Sequence, residues 1–436
     1  MDLFNQIQTL DFPVSLPQTL LAVEQRFEAP RAADVAQAAR SALEESGGLA
    51  QISAEASVAV GVGSRGIANL PLIVKAVIDR LRAARARPFV IPAMGSHGGA
   101  TAEGQRTMLA ELGVTPESVG AEIRATMEVR QIGHLPDGPP LFQDVIAAAA
   151  DHTLLIGRIK PHTDFRGQLE SGLAKMSVIG LGKQQGAAIM HEWGVAGFQR
   201  FLAPAARIYE ANTNLVGGLA ILENAYDQTA EIVGLPAAEI GGPKEVELLI
   251  RAKGLMASLP FPEIEGLVVR QLGKDISGTG MDTNIIGRLM IPRQPEEFGG
   301  PDVAVITVLD LTEATHGNAA GIGLANVTTA RAAGKIDWQA TYTNAITSGI
   351  FGMQRVSLPI TLADDRQALQ VALRCCGHSP ETARLVFIHN TLTLDRLWVS
   401  PSLRPQVEAH PRLSLIDETP LAFSPAGTMR SPWPLT

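Results

Sequence analysis

The chain has 436 residues, of which 46% are hydrophobic and only 5% aromatic, and its 36 basic and 44 acidic side chains give a net charge of −8. A chain of this length and apolar content can bury at least two hydrophobic cores. The acidic balance argues against nonspecific attraction to nucleic acid or to an anionic membrane.

Strand-like and helix-like segments alternate along the first part of the chain. Continuous apolar runs predict buried strands, and an apolar period of three to four residues predicts helices. In chain order, the predicted elements are a strand over residues 57–63, a helix over 69–86, a strand over 87–95, a helix over 101–113, an edge strand over 123–129, a helix over 141–150, a strand over 152–160, a helix over 197–211, a strand over 214–224 and a helix over 244–259.

The pattern restarts after a break marked by prolines at residues 260–266. Alternation of strands and helices is typical of crossover connections and a mostly parallel sheet. We therefore predict an α/β protein of two α/β domains, residues 1–262 and 263–436, with an active-site cleft between them. The predicted elements of the second domain are strands over 266–271 and 303–311, helices over 328–347 and 363–376, and a strand over 385–391.

Neither a membrane span nor a leader peptide is expected. No apolar run approaches the roughly 18 residues of a spanning helix, and the first ten residues lack a basic stretch followed by an apolar one. Cys375 and Cys376 are adjacent and do not suit an ordinary structural disulfide, which fits a reducing compartment. We expect a cytoplasmic protein without nucleic-acid or membrane partners, and association into a homo-oligomer is compatible with the sequence.

The glycine-rich turn GVGSRG, residues 61–66, matches G-x-G-x-x-G between a predicted strand and a predicted helix. Such a turn can bind the pyrophosphate of a dinucleotide, but the next predicted strand ends in residues 93–95 without the acidic group that would hold the ribose. Arg65 projects from the turn, and its guanidinium suits a bidentate contact with a carboxylate or phosphate. An NAD-type oxidoreductase using this turn is one alternative, and a tight turn with a solvated arginine is another.

His97 lies in the segment MGSHGGAT, between a predicted strand end and a predicted helix start. The glycines around it allow a sharp turn and a close approach to a ligand. Imidazole titrates near neutral pH and can serve as a general acid or base. The alternative interpretation is a loop histidine that only caps the helix.

Three basic residues, Arg158, Lys160 and His162, alternate along the segment GRIKPHTDFRG. In an extended chain, alternate side chains point to the same side. Three basic groups at the end of a strand predict a site for an anionic ligand, and a solvated strand edge is the alternative.

Lys175 and His191 follow, sixteen residues apart. The segment HEWGV has no second histidine four positions on, so it is not the helical zinc-protease motif. The nine histidines are scattered, which argues against a zinc site built of protein ligands alone. One histidine could still ligate a metal whose other ligands come from a cofactor. By itself, Lys175 is typical of a solvated helix residue.

Gln271 and Lys274 lie three apart after the first strand of the second domain, in the segment RQLGKDISGTGMDTNIIGR. The glycines of this turn expose backbone donors that suit phosphate or hydroxyl groups. An ordinary polar loop is the alternative. His316 lies in another glycine-rich segment, and nothing there specifies a role.

In order and spacing, these residues resemble the lactate racemase family, the 2-hydroxy acid racemases and epimerases that use a nickel-pincer nucleotide. The family pattern is an arginine on an early turn, a histidine some thirty residues later, a histidine after a proline, a lysine that tethers the cofactor, and a nickel-ligating histidine sixteen residues beyond it. A Gln-x-x-Lys pair comes later. The resemblance covers residues 55–290, and the matching positions are Arg65, His97, His162, Lys175, His191, Gln271 and Lys274.

The resemblance implies a racemase or epimerase with its cofactor between two α/β domains, the second closing over it. The substrate carboxylate would pair with Arg65, helped by Lys274. His97 and His162 would act as acid and base on opposite faces of the substrate, while its α-hydride passes to the cofactor and returns.

The cofactor-binding positions follow from the same resemblance. Lys175 would carry the nucleotide, and His191 would bind the nickel. Gln271 is assigned to cofactor binding, together with Ser64 and Gly63 on the glycine-rich turn.

One segment departs from the family pattern. The stretch between His162 and Lys175 is longer than the glycine-rich one of the family and adds Arg166, Gln168 and Glu170. We therefore expect a substrate other than lactate, larger or more polar. Besides the oxidoreductase, the remaining alternative is a homologue that binds the cofactor or an anion without catalysis.

Overall fold

The computed structural model describes residues 12–64, 66–296 and 299–430. Two compact units emerge: an N-terminal unit, Glu28–Met256, and a C-terminal unit that begins at Ala257 and also includes the segment up to Phe27. Arg65, one of the predicted site residues, lies outside the described residues.

The strands are numbered β1 to β15 in chain order. Strands β2 to β8 belong to the N-terminal unit, and β1 and β9 to β15 belong to the C-terminal unit. They are β1 (Thr19–Gln25), β2 (Ser57–Val62), β3 (Arg87–Pro92), β4 (Val129–His134), β5 (Pro140–Asp144), β6 (His152–Arg158), β7 (Leu215–Glu223), β8 (Thr229–Pro236), β9 (Glu263–Leu272), β10 (Asp302–Leu311), β11 (Val327–Thr329), β12 (Ile360–Leu362), β13 (Leu385–Ile388), β14 (Arg396–Val399) and β15 (Leu413–Pro420).

The α-helices are numbered in the same way, and a π-helical turn, Met176–Gly180, follows the seventh. No described helix is both long enough and apolar enough to cross a membrane. The helices are α1 (Val35–Glu45), α2 (Gly48–Gln51), α3 (Leu70–Ala83), α4 (Ala102–Glu111), α5 (Pro116–Val119), α6 (Val145–Ala149), α7 (Leu173–Lys175), α8 (Lys183–Glu192), α9 (Gly194–Asn212), α10 (Pro243–Leu255), α11 (Thr283–Ile286), α12 (Ala330–Gly334), α13 (Trp338–Thr347), α14 (Asp365–Cys375) and α15 (Arg404–Ala409).

The main sheet of the N-terminal unit has the strand order β3-β2-β6-β7-β8. The first four strands are parallel, and β8 runs antiparallel to β7. In the register, Val60 lies opposite Val90 on one side and Leu154 on the other. Helices cover both faces of such a sheet, which explains why β2 and β7 are almost continuously apolar. Strands β4 and β5 form a separate antiparallel hairpin.

The sheet of the C-terminal unit has the order β12-β11-β10-β9-β13-β14-β1-β15. The first five strands are parallel, whereas β14, β1 and β15 are antiparallel to their neighbours. The predicted α/β class with mostly parallel sheets is therefore confirmed.

Helix α3 illustrates how the sequence builds the core of the N-terminal unit. Its buried positions include Ile73, Val77 and Leu81, which recur every four residues and form one apolar stripe. This stripe packs in the same core as Val60 and Leu154 from the sheet. Arg80 and Arg82 lie in the last turn of this helix, where a positive charge complements the helix dipole.

The prediction of an edge strand over residues 123–129 is wrong, because strand β4 begins only at Val129. The helix predicted over 141–150 is also wrong in its first half. Residues up to Asp144 form strand β5, and the Asp144 carboxylate then accepts the N–H groups of Ile146 and Ala147 at 2.7 and 3.0 Å. This N-cap starts helix α6 in mid-segment.

The helix predicted over residues 328–347 is in fact two helices, α12 and α13. The first ends at Gly334, and the second begins after Asp337, whose carboxylate accepts the N–H of Ala340 at 2.9 Å. Two short helices with their own caps thus replace one long one.

We predicted that the start of the chain belongs to the first domain. For β1 this prediction is wrong, because the strand belongs to the C-terminal unit. Strand β1 pairs antiparallel with β14 and with β15, both in the C-terminal unit. Its Leu21, opposite Val399 and Glu418, is fully buried. The sequence carries no local sign of this pairing, because partners almost four hundred residues away supply the hydrogen bonds.

Candidate functional site

Four predicted site residues of the N-terminal unit follow three neighbouring parallel strands. Gly63 and Ser64 come after β2, His97 after β3, and His162 after β6. Because β3, β2 and β6 are adjacent and parallel, their carboxyl ends share one edge of the sheet. In open α/β sheets, ligands bind at this edge.

His97 lies in a tight loop between β3 and α4, and its side chain is exposed. The Oγ of Ser64 contacts Nδ1 of the imidazole. The loop backbone passes close to α4, and a Cβ added at Gly98 would lie 2.6 Å from the backbone nitrogen of Gln105. Gly98 also has a φ of 66°, in the region that favours glycine. A glycine is thus required beside His97 for the loop to close.

His162 follows β6 and is held at three points. Its N–H donates to Oε2 of Glu170 at 2.6 Å, its Nδ1 accepts the N–H of Asp164 at 3.0 Å, and its Nε2 contacts Nζ of Lys175. Since Nδ1 accepts the hydrogen bond from Asp164, Nε2 is the ring nitrogen that faces the lysine amine.

Two stacked phenylalanines, Phe165 and Phe198, form an aromatic pair beneath this cluster, with ring centroids 5.0 Å apart. The ring of His162 lies 4.5 Å from that of Phe165, and the ring of His191 meets Phe198 edge-on at 5.1 Å. The Nζ of Lys175 is 5.9 Å from both phenylalanine rings. Three predicted site residues therefore surround one aromatic pair, although they lie up to twenty-nine positions apart in the chain (191 − 162).

Lys175 ends the short helix α7, and the π-helical turn begins at the next residue. The start of α7 is fixed by the buried Glu245, whose Oε1 accepts the N–H of Ala174 at 3.1 Å. Burial raises the pKa of Glu245.

The turn after β2 lies close to the π-helical turn. A Cβ on Gly63 would lie 3.6 Å from Cε of Met176. The turn after β2 therefore adjoins the residue next to Lys175, and π-helical turns occur frequently at functional sites.

His191 occupies the last turn of α8 and keeps an exposed surface. Its pKa is nevertheless lowered to about 4, mainly because neighbouring protein atoms exclude water from the ring and secondarily because Lys175 is close. Asp164 opposes the shift. The imidazole is therefore neutral at physiological pH, which is the form that ligates metals.

The basic face predicted from Arg158, Lys160 and His162 does not form as expected. Arg158 makes an ion pair with Glu223, and the two side chains are only 18% and 7% exposed. The backbone of Lys160 pairs with that of Ser171 through two hydrogen bonds. Since a carboxylate already neutralises Arg158, this arginine does not add to a site for an anion.

The glycine-rich turn at residues 61–66 does not open directly into a helix, because α3 starts only at Leu70. The N–H of Ala68, just before this helix, donates to Oε1 of Glu223 at 2.6 Å. A carboxylate of the chain itself thus lies where a dinucleotide-binding motif would offer N–H groups to a pyrophosphate.

Gln271 and Lys274 belong to the C-terminal unit. Gln271 lies near the end of β9, and its N–H donates to the carbonyl of His389 at 3.0 Å. The Nζ of Lys274 donates to the Gly278 carbonyl and to Oδ1 of Asn344, the latter at 2.9 Å. Lys274 thus folds back onto its own turn in this structure.

Glu170 is a residue whose role the sequence did not reveal. Its side chain is fully buried and accepts hydrogen bonds from the N–H of His162 and, at 2.7 Å, from Nζ of Lys253. Arg166 lies 3.5 Å away and contacts the His162 carbonyl. The length of the 163–174 segment pointed to these residues but not to their function, which is to hold the backbone around His162.

The described residues contain no group of three or more histidine, cysteine, aspartate or glutamate side chains placed to hold a metal ion. Any metal at His191 would therefore need further ligands from a bound molecule.

The lactate racemase apoprotein from Thermoanaerobacterium thermosaccharolyticum aligns with a TM-score of 0.42 and 16% identity, over 66% of this chain and 74% of that one. A structural-genomics protein from Thermotoga maritima aligns with a TM-score of 0.45 and 11% identity, over 63% and 69% of the two chains. The comparison with curated proteins found no match.

A family model described as the lactate racemase N-terminal domain matches residues 9–196. This range includes β2, β3 and β6 and every predicted site residue of the N-terminal unit, from Gly63 to His191. Residues 9–196 of the chain are therefore similar to the lactate racemase N-terminal domain.

Proposed function

We propose that this protein is an isomerase, a racemase or epimerase of a 2-hydroxy acid that works with a nickel-pincer nucleotide. The observation that carries the proposal is the gathering of His162, which follows β6, with Lys175 and His191 around one aromatic pair. The match of residues 9–196 to the lactate racemase N-terminal domain supports the same conclusion.

The side chains present fit such a cofactor. Lys175 offers a primary amine for a covalent link, and His191 offers a neutral imidazole for nickel. Phe165 and Phe198 stack on each other and present apolar ring atoms to His162 and His191. When bound, this cofactor supplies the acceptor and donor of hydride in the reaction.

The two histidines would then handle the hydroxyl proton of the substrate. Ser64 fixes Nδ1 of His97, so the proton transfer of this ring is assigned to Nε2. His162 is held through its backbone and its Nδ1, which keeps its Nε2 directed toward Lys175. Two bases are what a reaction on both faces of one carbon requires, because each enantiomer presents its hydroxyl on a different side.

The remaining assignments are for substrate binding. Arg65 and Lys274 would pair with the substrate carboxylate, and Gln271 would contact the cofactor. We propose a substrate larger or more polar than lactate, because the 163–174 segment beside His162 places Asp164 and Arg166, both partly exposed, near the catalytic ring.

The test uses protein purified from a host that makes the cofactor, incubated with single enantiomers of a panel of 2-hydroxy acids in deuterated water. We expect one acid to interconvert without deuterium entering C2, because hydride carried by the cofactor does not exchange with solvent. His97→Gln should slow this interconversion about 10²–10⁴-fold, the usual share of general acid–base catalysis.

Two results would contradict the proposal. Deuterium at C2 would indicate proton abstraction from carbon rather than hydride transfer. A protein that holds nickel and nucleotide but isomerises none of the acids would be a cofactor-binding homologue without this activity.

A further inference from the structure

We propose that Gln105 and Lys183, two buried polar residues, are positioning residues that fix the loop carrying His97 relative to the helix carrying His191. The loop comprises residues 93–101. The inference rests on the proposed function, because it assigns these two residues to the support of a proton-transfer group and of a metal ligand.

Gln105 holds the loop through hydrogen bonds to its backbone. It lies on α4 and is completely buried. Its Nε2 donates to the carbonyl of Gly95 at 2.9 Å and to that of His97 at 3.2 Å, so one amide group clamps the backbone on both sides of the loop tip. The bond to the Gly95 carbonyl is buried, and the His97 carbonyl also accepts the N–H of Ala100 at 3.3 Å. Losing the buried bond is costly, and the two bonds from Gln105 therefore restrict where His97 can lie.

Lys183 connects this clamp to the helix α8. Its Nζ donates to Oε1 of Gln105 at 3.1 Å and to the carbonyl of Pro92, the last residue of β3, and it lies 3.0 Å from Oδ2 of Asp144. An ammonium has three N–H donors, and three acceptors surround it. The Lys183 and Asp144 side chains are both fully buried.

The backbone at Lys183 supports a specific role. Lys183 is the first residue of α8 and has a φ of 53°, which is unfavourable for a residue with a side chain. Burial lowers its pKa, and the charge of Asp144 opposes this shift. A strained backbone and a buried charge are both costly, and such features persist where the surrounding structure fixes a functional geometry.

The connection spans two proposed functional groups. At one end, Lys183 and Gln105 reach the loop of His97, and at the other end α8 carries His191 in its last turn. A rigid helix transmits the position of its first residue to its last. The ion pair with Asp144 further anchors this helix to β5.

The experiment uses two substitutions at the clamp. Gln105→Glu keeps an acceptor for Lys183 but removes the donor to both loop carbonyls, whereas Gln105→Met removes the donor and the acceptor. The control is Tyr209→Phe, which deletes another buried hydrogen bond of the same unit, the one from the tyrosine hydroxyl to the Phe142 carbonyl. Hydrogen exchange of residues 93–101 and the ring ¹⁵N signals of His97 are measured in cofactor-free protein.

We expect exchange in residues 93–101 to be about 10-fold faster in both Gln105 variants than in the control, with shifted ring signals of His97. In the cofactor-loaded enzyme, kcat should fall about 10- to 100-fold with a smaller change in KM, because misplacement by about 1 Å has such effects. If exchange and ring signals match those of Tyr209→Phe in both variants, the positioning role is overturned.

The cofactor-free readouts do not depend on catalysis. If the loop loosens in the Gln105 variants but the unmodified protein isomerises no 2-hydroxy acid, the proposed function fails while the structural coupling stands. If the unmodified protein is active and Gln105→Glu leaves kcat unchanged, the positioning role fails while the proposed function stands.

Discussion

The Nζ of Lys175 lies against Nε2 of His162, although they are thirteen positions apart, one at the end of α7 and the other in the loop after β6. The Nδ1 of the same ring accepts the N–H of Asp164 at 3.0 Å, so the ring cannot turn without losing a hydrogen bond. One of these side chains is proposed to carry the cofactor and the other to transfer a proton. A group attached at Lys175 would therefore start directly beside the proton-transfer group.

The first prediction concerns this lysine. Lys175→Ala removes the only amine proposed for the covalent link, and we expect the cofactor mass adduct to disappear completely. Intact mass spectrometry of protein from a cofactor-producing host measures this. Lys75→Ala, on the exposed face of α3, is the matched control and should retain the adduct. An adduct that persists in Lys175→Ala would place the link elsewhere.

The second prediction concerns nickel. His191→Ala removes a neutral imidazole next to Phe198, and we expect the nickel content per chain to fall at least several-fold in elemental analysis. His134→Ala is the control, because this histidine is exposed on the β4–β5 hairpin and bonds only locally to the Leu135 carbonyl. Equal nickel content in both variants would exclude His191 as a ligand.

The third prediction separates backbone strain from close packing in the His97 loop. Gly98 and Gly99 have nearly equal φ values of 66° and 63°, but an added Cβ at Gly98 meets backbone atoms of α4 at 2.6 Å, whereas one at Gly99 meets nothing within 4 Å. Gly99→Ala should cost about 1–2 kcal/mol of unfolding free energy from the left-handed conformation alone. Gly98→Ala should cost clearly more and displace His97. Urea unfolding measures the free energy that each variant loses, and equal losses would contradict the close contact at Gly98.

The fourth prediction uses two glutamates that pair with one arginine. Glu265 is buried and bonds Arg384 through both carboxylate oxygens, whereas Glu263 is exposed and bonds it once at 2.9 Å. At pH 7, Glu265→Gln should cost about 1–3 kcal/mol, and Glu263→Gln less than about 1 kcal/mol.

The cost of Glu265→Gln should depend on pH in a defined direction. The hydrogen bonds from Arg384 lower the pKa of Glu265 below its ordinary value of 4.5. The stabilisation is therefore fully present above pH 4.5 and is lost as the pH falls through the lower pKa of the folded state. The difference in unfolding free energy between the unsubstituted protein and Glu265→Gln should therefore be smaller at low pH than at pH 7. A gap that widens in acid would contradict this assignment.

The sequence predicted the alternating strands and helices well because long apolar runs such as that of β7 and stripes such as that of α3 carry their own periodicity. It failed where a single capping residue changed the outcome, as Asp144 did at the start of α6. A cap acts through two or three hydrogen bonds at one position and leaves no periodic pattern.

The candidate site shows the same limit. Motif spacing singled out His162, Lys175 and His191, which the structure places around the aromatic pair. It did not reveal Phe198, because a side chain that packs against a functional group from a distant helix has no neighbouring signature, and it singled out Glu170 without its role. It also misjudged Arg158, since its partner Glu223 lies on another strand, sixty-five residues away.

The position of β1 between β14 and β15 has a consequence for synthesis on the ribosome. This strand leaves the ribosome well before the two neighbours that complete its ladder, which are translated more than 370 residues later (396 − 25 = 371). The N-terminal unit can fold meanwhile, because domains generally fold as units while the chain is extended. An apolar strand with unpaired edges is thus open to pairing with other chains throughout this interval.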